Sequence, residues 1–589
     1  MSNGETSLVE SDLEAWHEVL PRCTIVTTGS AQQLPVHVKH GDDVVVSITA
    51  VRSPAIDASP VDADSIQELE QLDLWYDPRE IDGELIGRAT FEIPATLPVG
   101  YYRVELISDS RNATALLLVK PRASGQVNGW GLTLDLPAVR SRRSWGIGDL
   151  ADLAEVGVLA ALVGSDFIYP RPELFDQLQF EGEEEAPASF LAPQVRQRYV
   201  PTAVLRVEEI PEFSYLTSPD RALIEWEAEE FHKLNSTTDP INVPEIHQAK
   251  TAALDLIRAV ELSPARQAEY DAYVTREGQE LADFALWAAI AENCHRTETS
   301  WPEDAAEPDS FGARRAGDQL QAEIEKHRRY QWFITQQFER AHQRARGAGM
   351  RIGLLRDWQW DPTNADLSDL VREFQLASHG VGGLVATPTA AAEDAQPLLA
   401  VLAIEAERAG IEVILAVQNQ PEWQAAAQEA GLTTAVNLWR DEPGQRSLNT
   451  ETFVPAQMLE ITTPMDIPLA SYLAEEFVEA LPAHIEPAQE QELRRDAANA
   501  HDALVRVLSS AGLIEDSFSQ RALIEALHAW AHEQKPRLTA LRLRDVVGQR
   551  AWAGDTATEL RPTTDGFGAP VVVDDLKDMP VLLSLLRRF

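Results

Sequence analysis

The sequence predicts two folded parts, an N-terminal antiparallel β-sandwich followed by a (β/α)8 barrel that carries a helical insertion. Short strand patterns fill residues 22–120, with glycine, aspartate or proline between them. Beyond residue 130 the strand patterns become continuously apolar and alternate with amphipathic helices. That alternation is typical of a parallel sheet covered by helices on its faces.

The predicted sandwich strands are rich in β-branched and aromatic residues, which favour extended chains. They read CTIVTT, LPVHVKH, DDVVVSITA, GRATFEI, GYYRVELIS and ATALLLVK. Asp82-Gly83 lies between two strand patterns and suits a hairpin turn. We therefore expect a polar tail over residues 1–20, the sandwich over 21–121 and a linker over 122–129.

Eight further strand patterns occupy residues 130–589, and eight parallel strands predict a closed barrel. They begin at Trp130, Asp166, Arg351, Gly382, Ile411, Thr433, Gln457 and Arg537. Helical patterns separate them, for example over 150–163 and 520–532. A helix-rich block interrupts the series between the second and third strands, so we expect a helical insertion at about 245–348.

Composition excludes several classes of function. The 589 residues include 94 Asp and Glu against 50 Lys and Arg, a formal net charge of −44. This acidic excess argues against partners that are nucleic acids or anionic membranes. No signal-peptide pattern and no apolar run of about 18 residues is found, so the predicted location is the cytoplasm. No pattern predicts an oligomeric state.

Neither a cofactor nor a metal is predicted. The two cysteines, Cys23 and Cys294, are too few for a disulfide framework or a cysteine zinc site. Nucleotide-binding glycine loops are absent from the sequence. His528 and His532 stand four residues apart on a predicted helix, but no third ligand is in view, so we interpret them as packing or surface residues.

The ends of the predicted barrel strands are where an enzyme of this fold carries its working groups. The third strand ends in Arg356-Asp357, while other strands end in VATPT, LAVQNQ and ITTPMDI. Only the third therefore places a carboxylate directly at its tip. Trp358 and Trp360 flank Gln359 with a period of two, so both can face one side, which is either a groove or the core.

Several segments resemble the 4-α-glucanotransferases, also called amylomaltases or disproportionating enzymes. The most specific is SWGIGDL at 144–150, which is similar to their opening barrel signature. Residues 78–106 resemble the N-terminal sandwich of actinobacterial members. Further similar segments are 262–292, 330–350, 398–413, the stretch around 462–473, and 570–586. The resemblance covers most of residues 20–589 and implies the same fold.

This resemblance implies transfer of α-1,4-glucan segments through a covalent glycosyl-enzyme. Such chemistry needs a carboxylate nucleophile and a carboxylic acid about 5–5.5 Å apart. The family's three catalytic acids follow the fourth, fifth and seventh strands, where this sequence has Thr387, Val417 and Met465. Carboxylates nearby that could have moved into these roles are Asp361, Glu393 and Asp466.

Five residues are the predicted glucan contacts, namely Trp145, Asp149, Asp357, Trp358 and Trp360. For Asp149 the alternative is capping of the helix that follows it, since aspartate is favoured there. For Asp357 the alternative is a bond between neighbouring barrel loops.

The leading functional hypothesis is a catalytically silent family member that binds α-1,4-glucan or maltooligosaccharide, or regulates its metabolism; an active paralogue could be its partner. The alternative hypothesis is an active transferase with relocated carboxylates. A third hypothesis is a purely structural protein whose barrel mouth is closed. An open groove lined by tryptophan would favour the first, and a filled apolar mouth the third.

Overall fold

The computed structural model describes residues 16–62, 66–123, 125, 127–171, 180–237, 241–363, 366–392, 394–418, 420–440, 447–449, 456–463, 467–481, 486–548 and 571–576. Within these ranges no helix combines the length and the apolar character that crossing a bilayer requires.

Two sheets form the predicted N-terminal sandwich. Their strands are β1 (Cys23–Thr27), β2 (Gln32–Lys39), β3 (Val44–Val51), β4 (Ile66–Glu68), β5 (Glu70–Gln71), β6 (Arg79–Ile81), β7 (Glu84–Ile93), β8 (Gly100–Ser108) and β9 (Asn112–Lys120). One sheet has the order β1-β9-β8-β3-β4, and the other has β2-β7-β5 with β6 paired to β7. The edge strand β1 runs parallel to β9, whereas the other pairs are antiparallel. Inward valine, leucine and phenylalanine side chains form the core between the sheets.

A closed barrel follows, built from the eight strands that the sequence predicts. Its strands, in ring order, are β10 (Gly129–Leu134), β12 (Phe167–Pro170), β13 (Gly353–Trp360), β14 (Gly383–Pro388), β15 (Glu412–Leu415), β16 (Thr433–Asn437), β19 (Gln457–Ile461) and β20 (Leu538–Arg542). Neighbouring strands are parallel throughout. Short pairs outside the barrel join β11 (Val139–Arg140) to β21 (Val571–Val572), and β17 (Trp439–Arg440) to β18 (Ser447–Leu448). The predicted fold class is confirmed.

Helices surround the barrel and build the insertion. They are α1 (Leu150–Leu162), α2 (Pro193–Arg198), α3 (Ser218–His232), α4 (Val243–Arg258), α5 (Pro264–Thr297), α6 (Phe311–Gln319), α7 (Gln321–Gly347), α8 (Leu367–Ala377), α9 (Ala395–Ala409), α10 (Pro421–Ala430), α11 (Leu469–Leu473), α12 (Pro487–Ser510), α13 (Gln520–Glu533), α14 (Leu543–Val546) and α15 (Val573–Leu576). Helix α5 is broken at Gly278, whose φ of 62° and ψ of −132° suit a residue without a side chain.

Side chains on the barrel strands alternate between two separate cores. Phe167, Leu355, Val385, Ile414 and Met458 belong to a cluster that fills the barrel interior. Their sequence neighbours belong instead to the large cluster between strands and helices, which we call the outer shell. Because side chains alternate along a strand, one inward residue fixes the direction of the others.

The sandwich packs on barrel helix α9. The Tyr101 hydroxyl donates to Glu405 Oε1 at 2.8 Å, and Arg408 Nη1 donates to the same oxygen at 2.9 Å. The Arg408 guanidinium also lies 4.3 Å from the centroid of the Tyr101 ring. Leu116 and Leu118 of β9 join the outer shell. Tyr101 and Glu405 are buried and Arg408 is exposed, so this polar triad at the edge of an apolar contact fixes the sandwich on the barrel.

Helix α13 buries His528 completely. Its Nδ1 lies 2.9 Å from the carbonyl oxygen of Ile524 and donates to it. Burial lowers the pKa of His528 to about 4. His532, one turn further on, is exposed. In the described part of the chain no group of three potential metal ligands is found.

Replacing Tyr101 with phenylalanine should destabilise the protein by about 1–2 kcal/mol, because Glu405 loses a donor inside the interface but keeps Arg408. The midpoint of urea unfolding measures this loss. Tyr102→Phe is the matched control, since that hydroxyl donates to the Pro98 carbonyl at 2.9 Å within the sandwich. An equal or smaller loss for Tyr101→Phe would contradict the role of the triad.

Acid should weaken the fold through His528. Its pKa is lower in the folded protein than in the unfolded chain, so the unfolded chain binds the proton first. This contribution, on the order of 3 kcal/mol, is fully present above pH 6.5 and is lost as the pH falls toward 4. Measured at several pH values, the unfolding free energy of wild type should fall by about this amount more than that of His528→Leu between pH 6.5 and 4. His532→Leu should run parallel to wild type.

Candidate functional site

Polar and small side chains meet at the carboxyl ends of the barrel strands, where β13 and β14 pair Gln359 with Thr387. Gln359 and Thr387 lie four and two positions after Leu355 and Val385, which face the barrel interior, so both residues also face inward. The same argument places the other members of this ring, which we call the barrel mouth. Its members are Asp357, Gln359, Thr387, Ala416, Asn437 and Glu460.

The positions that the resemblance assigns to nucleophile and acid/base hold no carboxylate in the mouth. Thr387 faces inward and is half-buried. Val417 is only 1% exposed and lies in the outer shell, so its side chain points away from the mouth. The inward residue beside it is Ala416, which packs on the interior cluster. Both Ala416 and Val417 are aliphatic, so neither supplies a carboxylate at the end of β15.

Other acids suggested by the sequence do not enter the mouth among the described residues. Asp361 closes a turn, where its Oδ1 accepts from the amide of Thr363 at 2.9 Å and from the hydroxyl of the same residue at 2.7 Å. Glu393, Met465 and Asp466 lie outside the described residues.

Two carboxylates do reach the mouth, one of which the sequence analysis missed. Asp357 accepts from the Tyr169 hydroxyl at 3.5 Å. Glu460 lies on β19, where it shares the inward face with Met458. Because β13 is third and β19 is seventh in the ring of eight, the two carboxylates come from opposite walls. In the strand pattern QMLEI, Glu460 stands two positions after Met458, and this spacing predicts that both side chains lie on one face of the strand.

One side of the mouth is closed by a hydrogen-bonded polar group. The Asn437 amide nitrogen donates to the Thr462 hydroxyl. Arg542, which is 1% exposed, lies 3.4 Å from the Thr463 hydroxyl and donates to it. Arg544 forms an ion pair with Asp135 at the end of β10. These bonds tie the ends of β16, β19, β20 and β10 together.

The predicted tryptophan contacts lie in the outer shell. Trp358 is 8% exposed and Trp360 is 1% exposed. Their rings stack with centroids 6.1 Å apart, and Trp423 meets the ring of Trp360 edge-on at 5.5 Å. Both residues share one side, as their period of two indicates, and that side is the core rather than the mouth.

The SWGIGDL segment forms a buried structural cluster. Trp145 is fully buried, and its Nε1 donates to Glu208 Oε1 at 3.0 Å. Asp149 caps helix α1 by accepting from the amides of Ala151 and Asp152. Asp149 Oδ2 also accepts from Arg206 Nε at 2.5 Å. The capping alternative for Asp149 is therefore what the structure shows.

Arg206 neutralises two buried carboxylates at once. Its Nη2 donates to Asp152 Oδ1 at 2.9 Å, in addition to its bond with Asp149. Burial lowers the pKa of Arg206, but the two aspartates outweigh it and raise that pKa overall. Burial and the nearby Asp149 raise the pKa of Asp152 to about 6. Arg206 and both aspartates therefore each have a charged partner.

A cavity of about 120 Å³ opens beside the carboxyl half of β13, between that strand and helices α2, α5, α7 and α8. We call it the insertion cavity. Arg198 Nη2 donates to Glu277 at 2.5 Å, and its Nη1 donates to Glu280 at 2.7 Å. Arg276 Nε lies 3.2 Å from Glu277 as well. These ion pairs form one wall, and Asp357 and Gln359 line the end next to the mouth.

Two further charged groups line the insertion cavity without ion pairs among the described residues, namely Arg356 and Glu373. Burial, with a smaller contribution from Arg198, lowers the pKa of Arg356 to about 10. Burial raises the pKa of Glu373 to about 7, and Glu280 adds to the shift. Both shifts disfavour the charged form, as expected for ionisable groups that are desolvated without a compensating partner.

Comparison with known families gives two matches. Residues 19–121 match the MalQ N-terminal beta sandwich domain, and residues 134–359 match the Glyco_hydro_77 model, described as 4-alpha-glucanotransferase. The 4-alpha-glucanotransferase of Mycobacterium tuberculosis H37Rv is 33% identical over 356 residues, which are 58% of this chain and 47% of that protein. The protein of the same name from Haemophilus influenzae is 34% identical over 82 residues, 13% of this chain and 12% of its own. The chain thus matches about half the length of its mycobacterial relative.

Solved structures share the fold. The crystal structure of amylomaltase from Corynebacterium glutamicum superposes with a TM-score of 0.66 at 23% identity, covering 99% of this chain and 92% of that chain. Amylomaltase from Streptococcus agalactiae in complex with acarbose gives a TM-score of 0.53 at 10% identity, covering 79% and 98%. At these identities the likeness concerns the architecture alone.

Removing the positive charge of Arg206 from the SWGIGDL cluster should strongly destabilise the protein. Arg206→Met leaves Asp149 and Asp152 buried without their partner, which should destabilise the protein by about 3–5 kcal/mol at pH 7. Adding Asp152→Asn removes one of the two charges, so the double variant should recover part of the loss. Chemical denaturation of the three proteins measures both steps. A double variant less stable than Arg206→Met would contradict this account.

Proposed function

Because the chain belongs to the 4-alpha-glucanotransferase family, we propose that it binds α-1,4-glucan at the barrel mouth without transferring glucan segments. The observation that carries the proposal is the pair of inward residues at the ends of β14 and β15. These are Thr387 and Ala416, at the level where the family resemblance implies carboxylates. We further propose a role in cytoplasmic glucan metabolism, as a binding or regulatory protein beside an active paralogue.

The missing groups are the ones that the reaction depends on. A positioned general acid typically contributes 10²–10⁴-fold to the rate, or roughly 3–5 kcal/mol of barrier. Neither Ala416 nor Val417 carries a proton that it could donate to a leaving sugar. A threonine hydroxyl attacks only when a neighbouring base activates it, and Pro388, which follows Thr387, offers none.

The mouth nevertheless keeps groups that suit a glucan. Asp357, Gln359 and Glu460 supply acceptors, and Gln359 adds an amide donor. Sugar hydroxyls both donate and accept, so such a mixed set can hold a saccharide. The structural neighbour from Streptococcus agalactiae is complexed with acarbose, and we extend a saccharide ligand to this chain on that basis.

A second candidate function is favoured by Glu460. Asp357 and Glu460 reach the mouth from opposite walls of the barrel, and two facing carboxylates are the minimum that glycoside transfer needs. In this reading the protein is an active transferase whose carboxylates have moved to strands three and seven. The same experiment distinguishes the two functions.

Incubation with maltotriose, followed by chromatography of the products, tests for transfer. The proposal expects no glucose and no longer maltodextrins beyond the background of the double variant Asp357→Asn, Glu460→Gln. It also expects maltoheptaose to bind without turnover, measured by calorimetry. Asp357→Ala should weaken this binding about tenfold or more, because a hydrogen bond to a charged group is lost.

Asp361→Asn is the control for binding, because Asp361 holds a turn outside the mouth. It should leave the affinity for maltoheptaose unchanged. Transfer activity that Asp357→Asn or Glu460→Gln abolishes would replace the proposal with the second candidate. Neither transfer nor binding would favour a purely structural protein.

A further inference from the structure

We propose that protonation of His247 releases helix α4 from the segment on which it packs, which makes this helix an acid-sensitive element of the insertion. That segment follows α2 directly and includes a short 3-10 helix at Thr202–Val204. We call residues 199–205 the docking segment. The inference goes beyond the proposed function, because it concerns how the insertion holds together and not what the mouth binds.

Two polar side chains, one turn apart on α4, fasten this helix to the docking segment. His247 Nδ1 lies 3.2 Å from the Thr202 hydroxyl oxygen. Lys250 Nζ donates to the carbonyl oxygens of Ala203, at 2.5 Å, and of Leu205, at 2.8 Å. Lys250 is fully buried, so solvent is excluded from its part of the contact. His247 and Thr202 instead form the end of the contact, where a cavity begins.

The cavity beside His247 has a volume of about 20 Å³ and lies between α4, α5, α7 and the docking segment. Since one water needs about 10–15 Å³, the cavity has room for little more than one water molecule. The side chain of His247 is 16% exposed. A positive charge on its ring is therefore solvated far less than in bulk water, which disfavours protonation.

Polar and charged groups face this cavity from every element around it. They are Glu181 from the segment before α2, Thr202 from the docking segment, Thr251 from α4 itself, Glu292 from α5, and Lys326, His327 and Tyr330 from α7. Glu292 Oε2 accepts from Lys326 at 2.5 Å and from His327 at 2.9 Å. The Tyr330 hydroxyl donates to Asp255 at 2.9 Å. Glu292 is therefore already engaged by two donors of α7.

The carboxylate that faces the other ring nitrogen of His247 is too distant for a hydrogen bond. Glu181 Oε1 lies 3.9 Å from His247 Nε2. The side chain of Glu181 is 38% exposed, so water screens its attraction for a charged imidazole. The Lys326 ammonium faces the same cavity and opposes a second positive charge there. A proton on His247 thus gains a weak ion pair and loses most of its hydration.

The balance of these interactions sets the direction of the response. Burial lowers the pKa of His247, and the attraction of Glu181 and Glu292 does not cancel this shift. In the released helix the imidazole is hydrated and its pKa returns toward the ordinary 6.5, so the released form binds the proton more tightly. The contribution of neutral His247 to docking is fully present above pH 6.5 and is lost as the pH falls below that value.

Release of α4 requires less free energy than unfolding of the whole chain, because the helix buries only one stripe. The buried residues of α4 are Ile246, Lys250, Ala253, Leu254 and Ile257. Local openings that expose so little surface respond before the global fold does. The docking segment also lines the insertion cavity through Tyr199 and Val200, so release of α4 removes support from that wall.

Hydrogen exchange of the full chain, followed by mass spectrometry at about pH 7.5 and about pH 5, tests the proposal. After correction for the intrinsic pH dependence of exchange, the protection of residues 243–258 should fall about threefold or more in acid. His247→Gln keeps a polar side chain near Thr202 and has no group that titrates, so its α4 should show no such loss. An equal loss in this variant, or no loss in wild type, would overturn the proposal.

Two further variants separate release from its alternatives. His295→Gln is the matched control, because His295 Nδ1 lies 4.0 Å from Glu184 Oε1 in a pair whose members are both exposed. It should respond to acid as wild type does, and a lost response would assign the effect to surface charge and overturn the role of His247.

Glu181→Gln leaves the imidazole in place and removes the carboxylate that favours its protonated form. This variant should enlarge the acid-induced loss of protection in α4, because burial then lowers the pKa of His247 with less opposition. A smaller loss than in wild type, or protection of α4 that rises in acid, would mean that protonation tightens the docking through Glu181. Either result would overturn the release.

Discussion

Closure of eight parallel strands, with side chains alternating between interior and outer shell, is the constraint on which the other features depend. In an open sheet an edge strand can shift its register, but in a closed ring each strand is held by two neighbours. The direction of every side chain is then fixed by one inward residue per strand. On β13 this turns Asp357 toward the mouth and Arg356 toward the outer side of the strand, although the two are adjacent in sequence and both line the insertion cavity.

The two buried polar clusters differ in whether their groups are satisfied. Around Arg206, both aspartates are bonded, the helix end is capped and the serine hydroxyls join the network. Arg206 and its two aspartates satisfy one another and hold the start of α1 against the segment that carries Arg206. Beside β13, by contrast, Arg198 is fully paired while Arg356 is not.

The fold could be predicted because its signals are local. Apolar runs bounded by turn residues identified each barrel strand, and the period of two correctly placed Trp358 and Trp360 on one side. The sequence did not predict that this side faces the core, because the contact that shows it is made with Trp423, about sixty positions further along the chain. Glu460 was not predicted, because the motifs of the family resemblance follow the strands, whereas Glu460 lies within β19. The insertion cavity had no signal at all, since Tyr199, Tyr273, Phe338 and Glu373 come together only through the packing of separate helices.

The absence of a carboxylate pair at the ends of β14 and β15 removes a source of electrostatic repulsion from the barrel mouth. Two acids about 5–5.5 Å apart repel each other when partly desolvated, and an active retaining site must tolerate that cost. Thr387 and Ala416 introduce no such repulsion, and Ala416 adds to the interior core. The acids that remain come from opposite walls of the barrel, and the Tyr169 hydroxyl donates to Asp357. We therefore attribute the proposed glucan binding without transfer, and the absence of strained acids, to the same pair of residues.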